Sequence, residues 1–156
     1  MTARLSLAVA TALGVGYVPF APGTFGSLAG LVVFAAVRVT GQPAVELATI
    51  AVVFLAGVWA ATAAEAHFGL IDPGPVVIDE VLGMLVTLML VPVSVTGAIV
   101  GFVLFRVFDV IKPPPCSQLE ALPGGWGVMC DDFMAAVYSY ACVRLLAWLA
   151  PSWMLA

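Results

Sequence analysis

Four carboxylates occur as two adjacent pairs, Asp79 and Glu80 in "VVIDEVLGML" and Asp131 and Asp132 in "GVMCDDFMAA", in a chain of 156 residues with nine acids and five bases. Hard cations such as Mg²⁺ take carboxylate oxygens and bind together with substrate phosphate, so paired acids of this kind suit a metal site. A third segment, "FRVFDVIKPPP", spaces Arg106, Asp109 and Lys112 three residues apart. On a helix that spacing puts Arg106 and Asp109 on one face and carries Lys112 to the helix end. The plainer use of the triad is an i,i+3 ion pair at a helix terminus. That of each acidic pair is to face the positive end of a helix macrodipole. Two pairs together with a basic triad favour a polar site.

Neighbouring helical residues point about 100° apart, so Asp79 and Glu80 are not expected both to face one ion squarely, nor are Asp131 and Asp132. One member of each pair, with Asp79 and Asp132 leading, is expected to contact the ion. The other would support it as an acceptor or as a partner of Arg106 or Lys112. In "PFAPGTFGSLAG", Gly23 and Gly26 permit close backbone approach, Thr24 and Ser27 offer hydroxyls, and the helix that follows presents free N–H groups, a cradle for an anion. No Gly-Lys-Ser/Thr follows, so this is not a P-loop, and capping and helix packing are its plainer uses. His67 reads as a capping or interfacial residue, and Asp72 in "GLIDPGP" as a turn residue before proline. Trp126, flanked by glycines, is placed as a lid over the site, and Trp148 and Trp153 as interfacial anchors of the last helix. Cys116, Cys130 and Cys142 form no CxxC or Cys/His spacing and no disulfide framework.

The elements that must position these residues are apolar. The chain is 63% hydrophobic and 9% charged, with mean hydropathy +1.18, which implies a membrane protein of one domain, 1–156. Residues 5–37, 47–64, 81–105, 133–143 and 145–156 carry no Asp, Glu, Lys or Arg. A net charge of −4 with no basic cluster excludes a nucleic-acid surface. The apolar run after Arg4 leads into "GYVPFAPGTFGS" without a small-residue cleavage pattern, so it is kept as part of the mature protein. Pro and Gly clusters divide the remainder into six helices, near 3–16, 24–39, 44–67, 77–90, 94–111 and 128–149. The expected fold is all-α, a compact membrane-embedded bundle of about six helices. Up-and-down alternation brings the loops near 17–24, 67–77 and 111–128 to one end, with loops 40–43 and 91–94 at the other. Ten of the fourteen charged residues lie in windows 65–80 and 106–132, which this topology gathers at the same end. Ionisable residues at membrane depth are costly unless paired or functional, so the convergence marks a candidate site.

Taken in order, "PFAPGTFGSLAG", "VVIDEVLGM", "FRVFDVIKPPP" and "LPGGWGVMCDDFMAA" resemble the phosphatidylglycerophosphatase A family from Gly14 to Tyr140. The resemblance implies a small, Mg²⁺-dependent, all-helical phosphatase of the bacterial inner membrane, multi-pass, its site facing the cytoplasm. Its substrate would be phosphatidylglycerophosphate in the bilayer, converted to phosphatidylglycerol and phosphate. It implies catalytic roles for Asp79, Glu80, Arg106, Asp109, Lys112, Asp131 and Asp132, with metal held among Asp79, Glu80, Asp109, Asp131 and Asp132. Phosphate would be bound by Gly23, Thr24, Gly26, Ser27, Arg106 and Lys112. Pro22 also matches, and Glu120 falls near a further acid of the family, whereas Cys116-Ser117 departs from the pattern. On this reading Mg²⁺ neutralises phosphate and activates water, or an Asp attacks phosphorus directly, while Arg106 and Lys112 stabilise the equatorial oxygens. No Cys-x5-Arg loop exists, and the acids beside Cys130 disfavour its thiolate. Two other readings stand beside this one: a phosphatase of another lipid phosphate, and a non-enzymatic divalent-cation channel or transporter. Neither headgroup preference nor oligomeric state is legible.

Overall fold

The computed structural model describes residues 2–156. Its helices are α1 (Thr2–Ala10), α2 (Pro22–Arg38), α3 (Pro43–Phe68), α4 (Ile78–Thr87), α5 (Val95–Ile111), α6 (Cys116–Leu119), α7 (Gly125–Leu149) and α8 (Pro151–Met154), with a 3₁₀ turn at Val15–Tyr17. Among the described residues there is no strand, only an isolated bridge between Val93 and Leu155. The fold is all-α, and each of the six expected helices has a counterpart.

The boundaries differ where side chains and glycines intervene. The first helix stops at Ala10 instead of running to 16, because Ala12, Leu13 and Gly14 all take positive φ. Thr11 holds that reversal: its hydroxyl donates to the Leu7 carbonyl at 2.8 Å and accepts from Gly14 N–H at 3.1 Å. The freed Ala10 carbonyl then accepts from Val77 N–H at 2.9 Å, which fixes the approach to α4. The last long helix starts at Gly125, earlier than expected. Its N–H donates to Thr62 Oγ1 of α3 at 2.9 Å, so α7 begins on α3. The short helices α6 and α8 carry no apolar periodicity that would mark them.

Nine of the ten residues of α4 are buried, all but Glu80, because α2, α3, α5 and α7 surround it. Its contact with α2 is close. A Cβ on Gly30 would lie 2.8 Å from Met84 Cβ and 3.0 Å from the Val81 carbonyl, so only glycine lets the two backbones approach this far. Below the acidic residues of α4, Leu82, Met84, Leu85, Phe105 and Met129 are completely buried and form the core.

The exterior is apolar as well. Val52, Leu55 and Trp59 of α3 and Leu145, Trp148 and Leu149 of α7 are exposed. These are the two helices long and apolar enough to cross a membrane, with 26 and 25 residues. At 1.5 Å per residue each spans roughly 37–39 Å, more than the ~30 Å hydrocarbon layer. Such a surface is the one expected of a bundle solvated by lipid.

The loops gather as the alternation requires. Residues 21–24, together with Asp72, Gly74, Val76 and Lys112, line one cavity. At the opposite end Glu46, 3% exposed, accepts from Leu90 N–H at 2.7 Å and pairs with Arg38 at 3.4 Å, tying the α2–α3 and α4–α5 turns together.

Because overpacking a tight helix contact costs about 1–3 kcal/mol, Gly30→Ala is expected to lower the unfolding temperature in detergent by roughly 2–4 °C per kcal/mol. An unchanged melting curve would show that α2 and α4 have room to separate.

Candidate active site

The cavity, of about 270 Å³, is built from the starts of α2, α4 and α7 and the end of α5. Asp79 and Glu80 occupy the first turn of α4, whose Val77 cap makes no side-chain hydrogen bond, so the helix N-terminus favours their negative charge. Asp131 and Asp132 lie in the second turn of α7. Asp79, Asp131 and Asp132 are 6%, 4% and 4% exposed, so this is an interior site and not a solvated acidic face.

Oxygens of Asp79, Glu80 and Asp132 all lie within 4.8 Å of one another. Among the described residues, four buried side-chain oxygens lack a hydrogen-bond partner: Asp79 Oδ1, Glu80 Oε2, Asp132 Oδ2 and, away from the cavity, Thr87 Oγ1. Buried polar atoms are almost always paired, so three orphans in one place call for a missing partner. Three converging carboxylate oxygens are the donor set of a hard cation, and the residues fit Mg²⁺.

The second carboxylate of each pair behaves differently. Asp131 Oδ2 accepts from Lys112 Nζ at 2.6 Å, and its Oδ1 accepts from the Asp132 N–H at 2.9 Å, so Asp131 supports Lys112 and the backbone. Glu80, expected to stand aside, instead joins the cluster. The extra methylene of glutamate lets its carboxylate curl toward Asp79 despite the 100° offset between their Cβ directions. Asp109 lines the cavity but is paired with Arg106 Nη1 at 2.9 Å.

Arg106 is a junction of three helices. Nη1 reaches Asp109 on α5, lies 3.8 Å from Glu80 on α4, and donates to Ser27 Oγ on α2 at 3.4 Å. Lys112, at the positive-φ cap of α5, bridges Asp131 and Glu120, the latter at 3.2 Å. Partial burial alone would lower its pKa, but Asp131 and then Glu120 outweigh this and hold it above the ordinary lysine value.

On α2 the expected cradle divides into two layers. Gly23 and Thr24 line the cavity, whereas Gly26 and Ser27 lie beneath it: Gly26 packs on Val77, and Ser27, fully buried, donates to the Gly23 carbonyl at 2.9 Å. Pro22 has no N–H and Thr24 N–H bonds back to Ala21, so the helix terminus offers less to an anion than the sequence suggests. A Cβ on Gly23 would collide with the Glu80 carboxylate and crowd the Arg106 guanidinium. Trp126 is no lid, since it turns outward and stacks edge-on against Phe54 at 5.8 Å, beside α3. His67 stacks on Phe68 and does not line the cavity. Asp72, whose reading as a turn residue left a site role marginal, does line it. The cysteines are free.

An acidic floor between two cationic side chains, at one end of a helical bundle, is the arrangement of a phosphate-handling hydrolase. The chain matches the family model described as phosphatidylglycerophosphatase A over residues 8–147, enclosing every site residue above. It is 38% identical over 151 residues to a Bacteroides thetaiotaomicron protein provisionally named a phosphatidylinositol-3-phosphatase, covering 92% of this chain and 94% of that one. It is 34% identical over 149 residues to a phosphatidylglycerophosphatase A of Haemophilus influenzae, covering 94% and 89%. With that of Escherichia coli it shares 33% over 133 residues, covering 84% and 77%. No solved structure matches the chain. The chain belongs to the phosphatidylglycerophosphatase A family and is a phosphatase.

Gly23→Ala tests the inner layer of the cradle. Displacing Glu80 and Arg106 should lower turnover about tenfold or more, the equivalent of 1.4 kcal/mol or more of barrier, with a smaller loss of thermal stability than Gly30→Ala. Equal turnover in wild type and variant would place Gly23 outside the functional geometry.

Proposed function

We propose that this chain is a Mg²⁺-dependent phosphatase that removes the terminal phosphate of phosphatidylglycerophosphate to leave phosphatidylglycerol, acting in the bacterial inner membrane as a multi-pass protein with its cavity toward the cytoplasm. The observation that carries the reading is the trio of unpartnered, buried carboxylate oxygens lying in one cavity with Arg106 and Lys112. Asp79, Glu80 and Asp132 would hold the cation. Mg²⁺ at that position supplies charge neutralisation of the phosphate and acidification of water.

The chain's own residues supply the rest. Arg106 keeps one guanidinium nitrogen on Asp109 and has others free for equatorial phosphate oxygens, where charge grows in the transition state. Lys112, at the end of the same helix and anchored by Asp131 and Glu120, presents a second fixed positive charge. Thr24 and the Gly23 N–H face the anion from α2.

The headgroup is a finer matter than the phosphate. The relatives carry names for two different lipid phosphates, and phosphate monoester chemistry is what those names share. The channel reading is disfavoured by the fully buried apolar layer of Leu82, Leu85 and Phe105 below the acids, and by the two cations that line the cavity.

Purified protein is expected to release phosphate from phosphatidylglycerophosphate with Mg²⁺ and to lose that activity with chelator. Faster turnover of phosphatidic acid or of a phosphoinositide in the same assay would reassign the substrate. Asp79→Asn, Glu80→Gln and Asp132→Asn should each cost roughly a hundredfold or more in turnover and abolish Mn²⁺ binding measured by electron paramagnetic resonance. Asp131→Asn should retain the bound ion. Undiminished Mn²⁺ binding in all three cluster variants would refute the metal assignment.

A further inference from the structure

We propose that Asp72 is a catalytic residue, the general acid that protonates the oxygen leaving phosphorus. This rests on the phosphatase reading above. Six acids line the cavity: Asp72, Asp79, Glu80, Asp109, Asp131 and Asp132. Five are engaged. Asp79, Glu80 and Asp132 converge on the floor, Asp109 is paired with Arg106 and Asp131 with Lys112. Asp72 alone among them, within the described residues, belongs to neither the cluster nor an ion pair.

Its place in the cavity is the one the leaving group must pass. Asp79 and Asp132 are buried, whereas Asp72, which lines the same cavity, is exposed to solvent. A phosphate lying on the floor between Arg106 and Lys112 can only direct its ester oxygen outward, because the lipid body cannot enter a cavity of about 270 Å³ closed below by apolar core. Apart from the acids, the lining residues that carry a side-chain proton are Thr24, whose hydroxyl is too weakly acidic to give it, and Arg106 and Lys112, which are held charged by Asp109 and Asp131.

The residue is held there. Asp72 sits at φ 45°, a left-handed conformation that Asp tolerates better than most residues. Its N–H donates to Glu65 Oε1 at 3.1 Å, and the next residue, Pro73, is fully buried with its carbonyl accepting from Val76 N–H at 2.8 Å. The carboxyl group is therefore carried on a pinned loop and not on a mobile one.

The electrostatics agree with an acid role. Protein crowding on its inner side raises the Asp72 pKa, Lys112 opposes this, and Glu120, Asp109 and Glu65 add to the rise. Asp79 and Asp131 also face it. The protonated form thus persists to higher pH than in an ordinary aspartate, and activity that depends on it falls as pH rises through the raised pKa.

The step balances. The P–O ester bond breaks with both electrons remaining on the alkoxide oxygen, which takes the Asp72 proton and leaves as the alcohol. Water contributes the oxygen of the new P–O bond, and the proton it releases restores the acid form of Asp72.

The test compares leaving groups. Asp72→Asn preserves shape and φ tolerance, and Asp72→Glu restores a carboxyl group. On an alkyl ester, phosphatidylglycerophosphate, the Asn variant should lose about a hundredfold or more in kcat, the usual size of a general-acid contribution, together with the alkaline limb of its pH profile. The Glu variant should recover part of both. On 4-nitrophenyl phosphate, whose phenolate departs without a proton, the Asn variant should stay within a few-fold of wild type. Equal losses on both esters would make Asp72 a structural or positioning residue and overturn the assignment, as would no loss on either. Wild-type protein that cleaves neither ester would instead overturn the phosphatase reading, and the acid role with it.

Discussion

Three carboxylates with unpartnered oxygens inside a protein repel one another in a medium that screens poorly, and the fold is organised around holding them together anyway. The restraint is mechanical. Asp79 and Glu80 ride on α4, which is enclosed by four other helices and cannot move away from α7, the carrier of Asp132. Glycines at 23, 26 and 30 draw α2 against α4, so the wall of the cavity is also the brace of its floor. Below, the buried layer of Leu82, Leu85, Phe105 and Met129 packs the helices together by van der Waals contact, which opposes the repulsion of the acids above.

Arg106 and Lys112 complete the restraint while serving the cavity. Arg106 joins α2, α4 and α5 through Ser27, Glu80 and Asp109. Lys112 joins the end of α5 to α7 and to the loop carrying Glu120. Each cation is thus positioned before any anion arrives, and little side-chain entropy remains to be lost on binding. Replacing arginine with lysine at 106 would sacrifice this role, because Asp109, Glu80 and Ser27 are all approached by Nη1 alone, and a lysine has no second nitrogen left to offer an anion.

Much of this was legible in the sequence because charge is scarce in it. With ten of fourteen charged residues in two windows and apolar helices between them, alternation alone gathers the acids and the basic triad at one end, and the cavity lies there. What resisted reading was set by local geometry that one-dimensional spacing does not encode. Glutamate's extra methylene brings Glu80 into the cluster that helical phase argued against. Thr11 turns the first helix back after Ala10 through its hydroxyl. Glu46 is a lone acid in an apolar stretch until Leu90 and Arg38 come to it across the fold. Asp72 looked like any Asp before Pro, since only the packing of the α3–α4 loop shows which way that turn faces.

The charge balance of the cavity gives the physical reason for proposing a cation. Six acids and two bases line it, so ionised acids would leave four negative charges in excess where a phosphate dianion must sit. Both bases are already partly neutralised, Arg106 by Asp109 and Lys112 by Asp131 and Glu120. An anion entering such a site meets net repulsion in a low-dielectric enclosure, where opposing charges a few ångströms apart cost several kcal/mol even at an effective dielectric of about 20. Positive charge from outside the chain, or protonation of several acids, is therefore a condition of binding. Protonation would silence the very oxygens that converge on the floor. A divalent cation would use them, which would make the geometry of Asp79, Glu80 and Asp132 and the need to admit a phosphate two aspects of one requirement.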